Sequence, residues 1–185
     1  MPFRSSDLRG GPFGFLSRRS RRRATWYAAG SVATQLVPLL VIERRLRTTG
    51  GPGVIPFELA GSIEASEQIM RTWGTQGCQD ARLSLLLDFQ FPAAYAALHA
   101  LGCAAAADAL MKRDRNRLAS MGSAVGWLQL AAAGCDYVEN VALLLVLSGR
   151  RAGLPRLARR SAIAKFAMIG VGYAYMGAAR GVTWR

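Results

Sequence analysis

Apolar residues along this chain gather into long runs, separated by short clusters of charge, glycine and proline. A helix needs about 20 apolar residues to cross a bilayer, and the runs predict four spans, over residues 26–42, 81–111, 119–147 and 161–179. Residues 57–73 follow a different pattern. Leu59, Ile63, Ile69, Met70 and Trp73 recur at helical spacing against Glu58, Glu64, Glu67 and Arg71. That stretch is too polar to span and predicts an amphipathic helix lying in the interface, with Trp73 at headgroup level and Gly74 as its C-terminal cap. Residues 48–56 (TTGGPGVIP) read as a breaker-rich loop and residues 148–160 as a basic Gly/Pro turn. The expected fold is all-α, a polytopic membrane helix bundle of four transmembrane helices plus one interfacial amphipathic helix. It forms a single membrane domain over residues 26–185, behind a basic, disordered tail at 1–25.

The polar residues inside the spans fall on narrow faces. Ser31, Thr34, Gln35 and Pro38 lie at i, i+3, i+4 and i+7 of the first span, where Pro38 should kink the helix. Asp88, Phe91, Pro92, Tyr95 and His99 share one face of the second, with Asp80 as its N-cap. An Asp108–Lys112 pair marks its exit from the membrane. Gln129, Asp136, Glu139 and Asn140 share a face of the third span, and Lys165 opens the fourth. At about 1.5 Å per residue, Asp88 lies roughly 34 Å above Met111 and Glu139 roughly 30 Å above Ala119. Antiparallel neighbours therefore bring both to one level. The expected site is a one-sided cup of Gln35, Asp88, Asp136, Glu139, Asn140 and Lys165, with residues 58–73 across its mouth and a deeper His99–Gln129 hydrogen bond.

Charge sharpens the membrane reading. The chain has 24 Lys and Arg against 11 Asp and Glu, a net charge of +13, yet is 51% hydrophobic. The basic residues flank apolar runs, so anionic headgroups account for them and nucleic acid does not. The tail ends in Arg18-Arg19-Ser20-Arg21-Arg22-Arg23 and is expected to order against the bilayer; no consensus follows these arginines that would make them an export signal. Lys and Arg divide almost evenly between the two predicted sides, and the dense basic tail favours an internal amino-terminus. The expected location is a multi-pass position in a bacterial plasma membrane. Cys78, Cys103 and Cys135 have no metal-ligand spacing, and a single histidine excludes a multi-histidine centre. HExxH, GxSxG, P-loop and GxGxxG signatures are absent. No metal or other cofactor is expected.

Ionisable residues in a membrane span are costly and are functional-site candidates by default. Three carboxylates beside one cation leave excess negative charge, so at least one acid is expected to hold a proton. Asp88, Asp136 and Glu139 are the candidate catalytic acids. Gln35, Tyr95, His99, Gln129, Asn140 and Lys165 are the candidate binding residues. The sharpest reading is binding of, or acid–base action on, a lipid or isoprenoid, with aromatic residues stabilising a cation. A structural or accessory subunit, partnered by another protein or a second copy, is the first alternative, its carboxylates fixing helix packing. A proton-coupled small transporter is the second. A lipid-acting site needs an apolar cavity beside the acids, whereas a packing device needs none.

The pattern Leu87-Asp88-Phe89-x-Phe91-x-x-x-Tyr95 followed by Asp136-x-x-Glu139-Asn140, preceded by FELAGS and Trp73-Gly74, resembles a family of uncharacterised bacterial four-helix integral membrane proteins. The resemblance covers residues 57–147. It implies the same fold and marks Asp88, Tyr95, Asp136, Glu139 and Asn140 as positions to carry over; it implies no activity. A likeness to the sterol-isomerase group is one of architecture alone.

Overall fold

The computed structural model describes residues 10–150 and 152–183. Six helices follow in order: α1 (Arg18–Thr48), α2 (Val54–Glu58), α3 (Ile63–Asp88), α4 (Phe91–Met111), α5 (Asn116–Leu147) and α6 (Leu154–Thr183), and no strand occurs among the described residues. Four of them, α1, α4, α5 and α6, are long and apolar enough to cross a membrane.

Several boundaries differ from expectation for identifiable reasons. The tail does not stay irregular up to residue 25. Residues 18–25 are the first two turns of α1, tied down where Arg21 Nη2 donates to Asp108 Oδ2 at 3.0 Å. Just before it, Gly10 accepts a 2.8 Å hydrogen bond from Trp127 Nε1. Residues 1–9 lie outside the described part. Asp108 is thus taken by an arginine of α1 rather than by Lys112. The expected span at 81–111 is two helices, because α3 ends at Asp88 and α4 begins at Phe91. Pro92 sits in the first turn of α4, where its missing N–H costs nothing. The same logic applies to α6, which starts at Leu154 with Pro155 in its first turn, so most of the expected turn at 148–160 is helix. Asp80 is inside α3 and caps nothing. Pro38 lies within the continuous α1.

The expected amphipathic helix at 57–73 is likewise divided. Phe57 and Glu58 close α2, and Ser62 starts α3, its Oγ accepting from Ala65 N at 3.1 Å. Gly74 breaks the run as expected. Its φ of 65° and ψ of −169° lie in a region other residues rarely enter, so residues 63–73 form a segment separate from 75–88. Trp73 is not at a surface: it is 2% exposed, stacks 5.0 Å from Phe57 and donates to Pro52 O at 2.6 Å.

The chain packs as two compact units, with α1, α4, α5 and α6 contributing to both. The first comprises the described residues 10–30, 93–133 and 166–183. Small residues dominate its interior: Ala107, Ala119, Cys103 and Ala179 are buried with Leu110, Val125 and Tyr175. A Cβ added at Gly122 would stand 2.6 Å from Ala107 Cβ and 2.8 Å from Tyr175 Oη, so α4, α5 and α6 meet there only because that residue has no side chain. The second unit comprises residues 31–92 and 134–165. Its core is built from larger groups, Ile42, Leu46, Phe57, Trp73, Leu85, Leu143 and Val146. Glu43 Oε2 accepts from Val54 N at 2.9 Å and fixes the entry to α2.

Candidate functional site

Within the second unit, α5, α6 and the ends of α2 and α3 bring a polar cluster together around Lys165. Helical spacing of three and four residues puts Asp136, Glu139 and Asn140 on one face of α5. Lys165 comes from α6, Asp88 is the last residue of α3, and Glu58 is the last residue of α2. The Lys165 ammonium lies 3.0 Å from Asp136 Oδ1, 2.9 Å from Glu139 Oε2 and 3.6 Å from Glu58 Oε2. Asn140 Nδ2 donates to Asp88 Oδ2 at 2.6 Å. Glu139 is fully buried, and Asn140, Asp136 and Lys165 nearly so.

Five of the expected site residues therefore meet: Asp88, Asp136, Glu139, Asn140 and Lys165. Glu58, expected on the polar face of the helix across the mouth of the cup, joins them as a member of the ion cluster. The signal for it was the short distance in sequence between the breaker-rich loop and an isolated acid flanked by Phe57 and Leu59. Gln35 belongs to the same unit but bonds along its own helix, its Nε2 donating to Ser31 Oγ at 2.6 Å.

Tyr95, His99 and Gln129 belong to the first unit. His99 Nε2 pairs with Tyr173 Oη at 3.0 Å, with the rings 4.8 Å apart. Gln129 lies beside the imidazole, but neither His99 Nδ1 nor Gln129 Oε1 reaches hydrogen-bond geometry. Gln129 Nε2 donates to Met168 O at 3.0 Å, and His99 bonds Tyr173 while Gln129 stays beside its ring. Tyr95 stacks on His99 at 5.9 Å.

The chemistry available at the cluster follows from its charge balance. Three carboxyl groups lie within 3.6 Å of one ammonium, the fourth, Asp88, accepts from Asn140, and Glu139 Oε1 has no hydrogen-bond partner. Lys165 stands between the carboxyl groups where a bound cation would otherwise sit. Among the described residues, no group of His, Cys, Asp or Glu is placed to hold a metal ion. Two open grooves, of about 610 Å³ and about 390 Å³, both lie in the first unit, and no cluster residue lines either. No family model, curated protein or solved structure matches this chain.

Proposed function

We propose that this chain is a multi-pass protein of a bacterial plasma membrane whose carboxylate–lysine cluster is a packing lock, and that it serves as a structural or accessory membrane subunit. The observation that carries this reading is the position of Lys165, within 3.6 Å of three acids drawn from two other helices. A buried ion network stabilises little compared with an apolar core, but it admits one register, because every misaligned packing strands a charge. Lipid chemistry at these acids is less well supported, since the two open grooves described above are lined by other residues. The likeness to four-helix membrane proteins fits the same reading: its Asp-x-x-Glu-Asn pattern supplies the α5 side of the lock. Residues 63–73 then lie along the interface with Glu64, Glu67 and Arg71 outward, while Ile69 and Met70 pack on the protein's own core.

A second reading rests on a specific observation, the excess of carboxyl groups over cations. Three acids around one ammonium leave this buried site with excess negative charge, and proton exchange at the acids is the second reading. Native mass spectrometry in mild detergent tests the first reading, with Asp88→Asn and Glu139→Gln alongside the parent. A bare protein whose variants lose thermal stability or change oligomeric state is the expected result. A small lipid or isoprenoid retained by the parent and lost from both variants would overturn it.

A further inference from the structure

The groove of about 390 Å³ in the first unit has a polar end and an apolar end. At the polar end stand Arg18, Arg21 and Arg22, from the first turns of α1. Asp108 of α4 engages two of them, Arg21 at 3.0 Å and Arg18 at 3.8 Å. The bond to half-buried Arg21 is a fixed joint between α1 and α4. The Arg18 side chain remains 71% exposed, and Arg22 is exposed as well. Three guanidinium groups around one carboxylate leave the rim with two positive charges to spare. Ser17 already satisfies the start of the helix by accepting from Ser20 N, so the attraction at the rim is that of the arginines.

One turn further along α1 the character changes. Thr25 and Trp26 line the groove, and it continues along Leu101 and Ala105 of α4. Trp26 and its neighbour Tyr27 are 71% and 79% exposed, an aromatic pair of the kind that sits at the level of lipid headgroups. A ligand matched to this order carries an anion at one end, a region of intermediate polarity next, and a hydrocarbon chain after that.

We propose that this groove is a binding site for an anionic phospholipid, with the headgroup phosphate on Arg18 and Arg22, the glycerol ester region beside Thr25 and Trp26, and an acyl chain along Leu101 and Ala105. Arg21 positions the site and is not free to follow the ligand, because Asp108 holds it. Bidentate guanidinium contacts favour a phosphate over a zwitterionic headgroup whose own ammonium is repelled by the rim. The apolar continuation selects a lipid over free phosphate. The site rests on the membrane placement proposed above and is independent of what the carboxylate cluster does.

The test uses the full chain in nanodiscs holding equal amounts of phosphatidylglycerol and phosphatidylcholine, released into native mass spectrometry. The expected result is preferential retention of phosphatidylglycerol. Retention falls about tenfold in the Arg18→Gln/Arg22→Gln double variant, is unchanged in Arg180→Gln beside the other groove, and is unaffected by added inorganic phosphate. Asp108→Asn removes the competing acid and raises retention in the opposite direction, so an effect of misfolding cannot imitate the pair of results. Equal retention of the two lipids, or phosphatidylglycerol retention unchanged in the Arg18→Gln/Arg22→Gln variant, would overturn the site while leaving the membrane placement intact. A chain that does not enter nanodiscs at all overturns both.

Discussion

The two units of this protein solve the same problem, holding long apolar helices in one arrangement, by opposite means. In the first, Gly122, Ala107 and Ala119 strip side chains away until helix backbones nearly touch, and dispersion over short distances does the holding. In the second, bulky Leu, Ile and Trp residues form the core, and a lysine of α6 answers acids from α2 and α5. Shape specifies the first unit and charge the second. The difference has a practical meaning: the first should be sensitive to added atoms and the second to removed charges.

The largest effect should come from Lys165→Ala. It leaves Asp136 and Glu139 buried without their cation and should cost about 3–5 kcal/mol, read as loss of thermal stability in detergent. Combining Lys165→Met with Glu139→Gln removes both signs together and should recover much of that loss. If the double variant is no more stable than Lys165→Ala, charge pairing is not what holds the unit. In the first unit, Gly122→Ala adds a single methyl group against Ala107 and Tyr175 and should cost about 1–3 kcal/mol by overpacking. A neutral result there would mean that the helices separate freely. Asp88→Asn keeps the shape of the Asn140 contact while removing its charge and should cost only about 1 kcal/mol. Measuring it beside Glu139→Gln shows whether the rim or the centre of the cluster carries the specificity.

The smallest effect concerns the entrance to α3. Glu64 is exposed, and its own backbone N–H and the Ser62 side chain hold its carboxyl below the ordinary value of 4.5. A depressed pKa in the folded chain means that the contribution is present above the ordinary value and is lost as pH falls through it. Thermal melts between about pH 6 and about pH 3 should therefore show a slightly shallower acid decline for Glu64→Gln than for the parent. Identical profiles would mean that the cap contributes nothing.

Much of this was legible in the sequence, and what was not has a common cause. The four apolar helices, the break at Gly74 and the shared face of Asp136, Glu139 and Asn140 all follow from periodicity and backbone chemistry. Counting residues from helix ends brought Lys165 and Asp88 to the same level as these acids. Proline was the weak point. Pro92 and Pro155 each open a helix, so placing Pro92 inside one continuous span and Pro155 in a turn misplaces the ends of α3, α4 and α6. Glu58 was hidden because its neighbours fit an amphipathic pattern, so its inward direction depends on the turn at residues 59–62, which periodicity does not reveal. The bond between His99 and Tyr173 turns on packing between α4 and α6, two helices whose mutual rotation no single-helix pattern encodes.

The position of Lys165 also bears on how the protein is made. Synthesis runs from α1 to α6, so Glu58, Asp88, Asp136 and Glu139 all leave the ribosome before the lysine that answers them. Until α6 arrives, α5 is an apolar segment carrying two acids with no counter-ion, and it must stay near water or take up protons. The last helix therefore completes more than the count of spans. It supplies the cation for acids that the earlier helices carry, so the second unit reaches its final pairing only when α6 is in place.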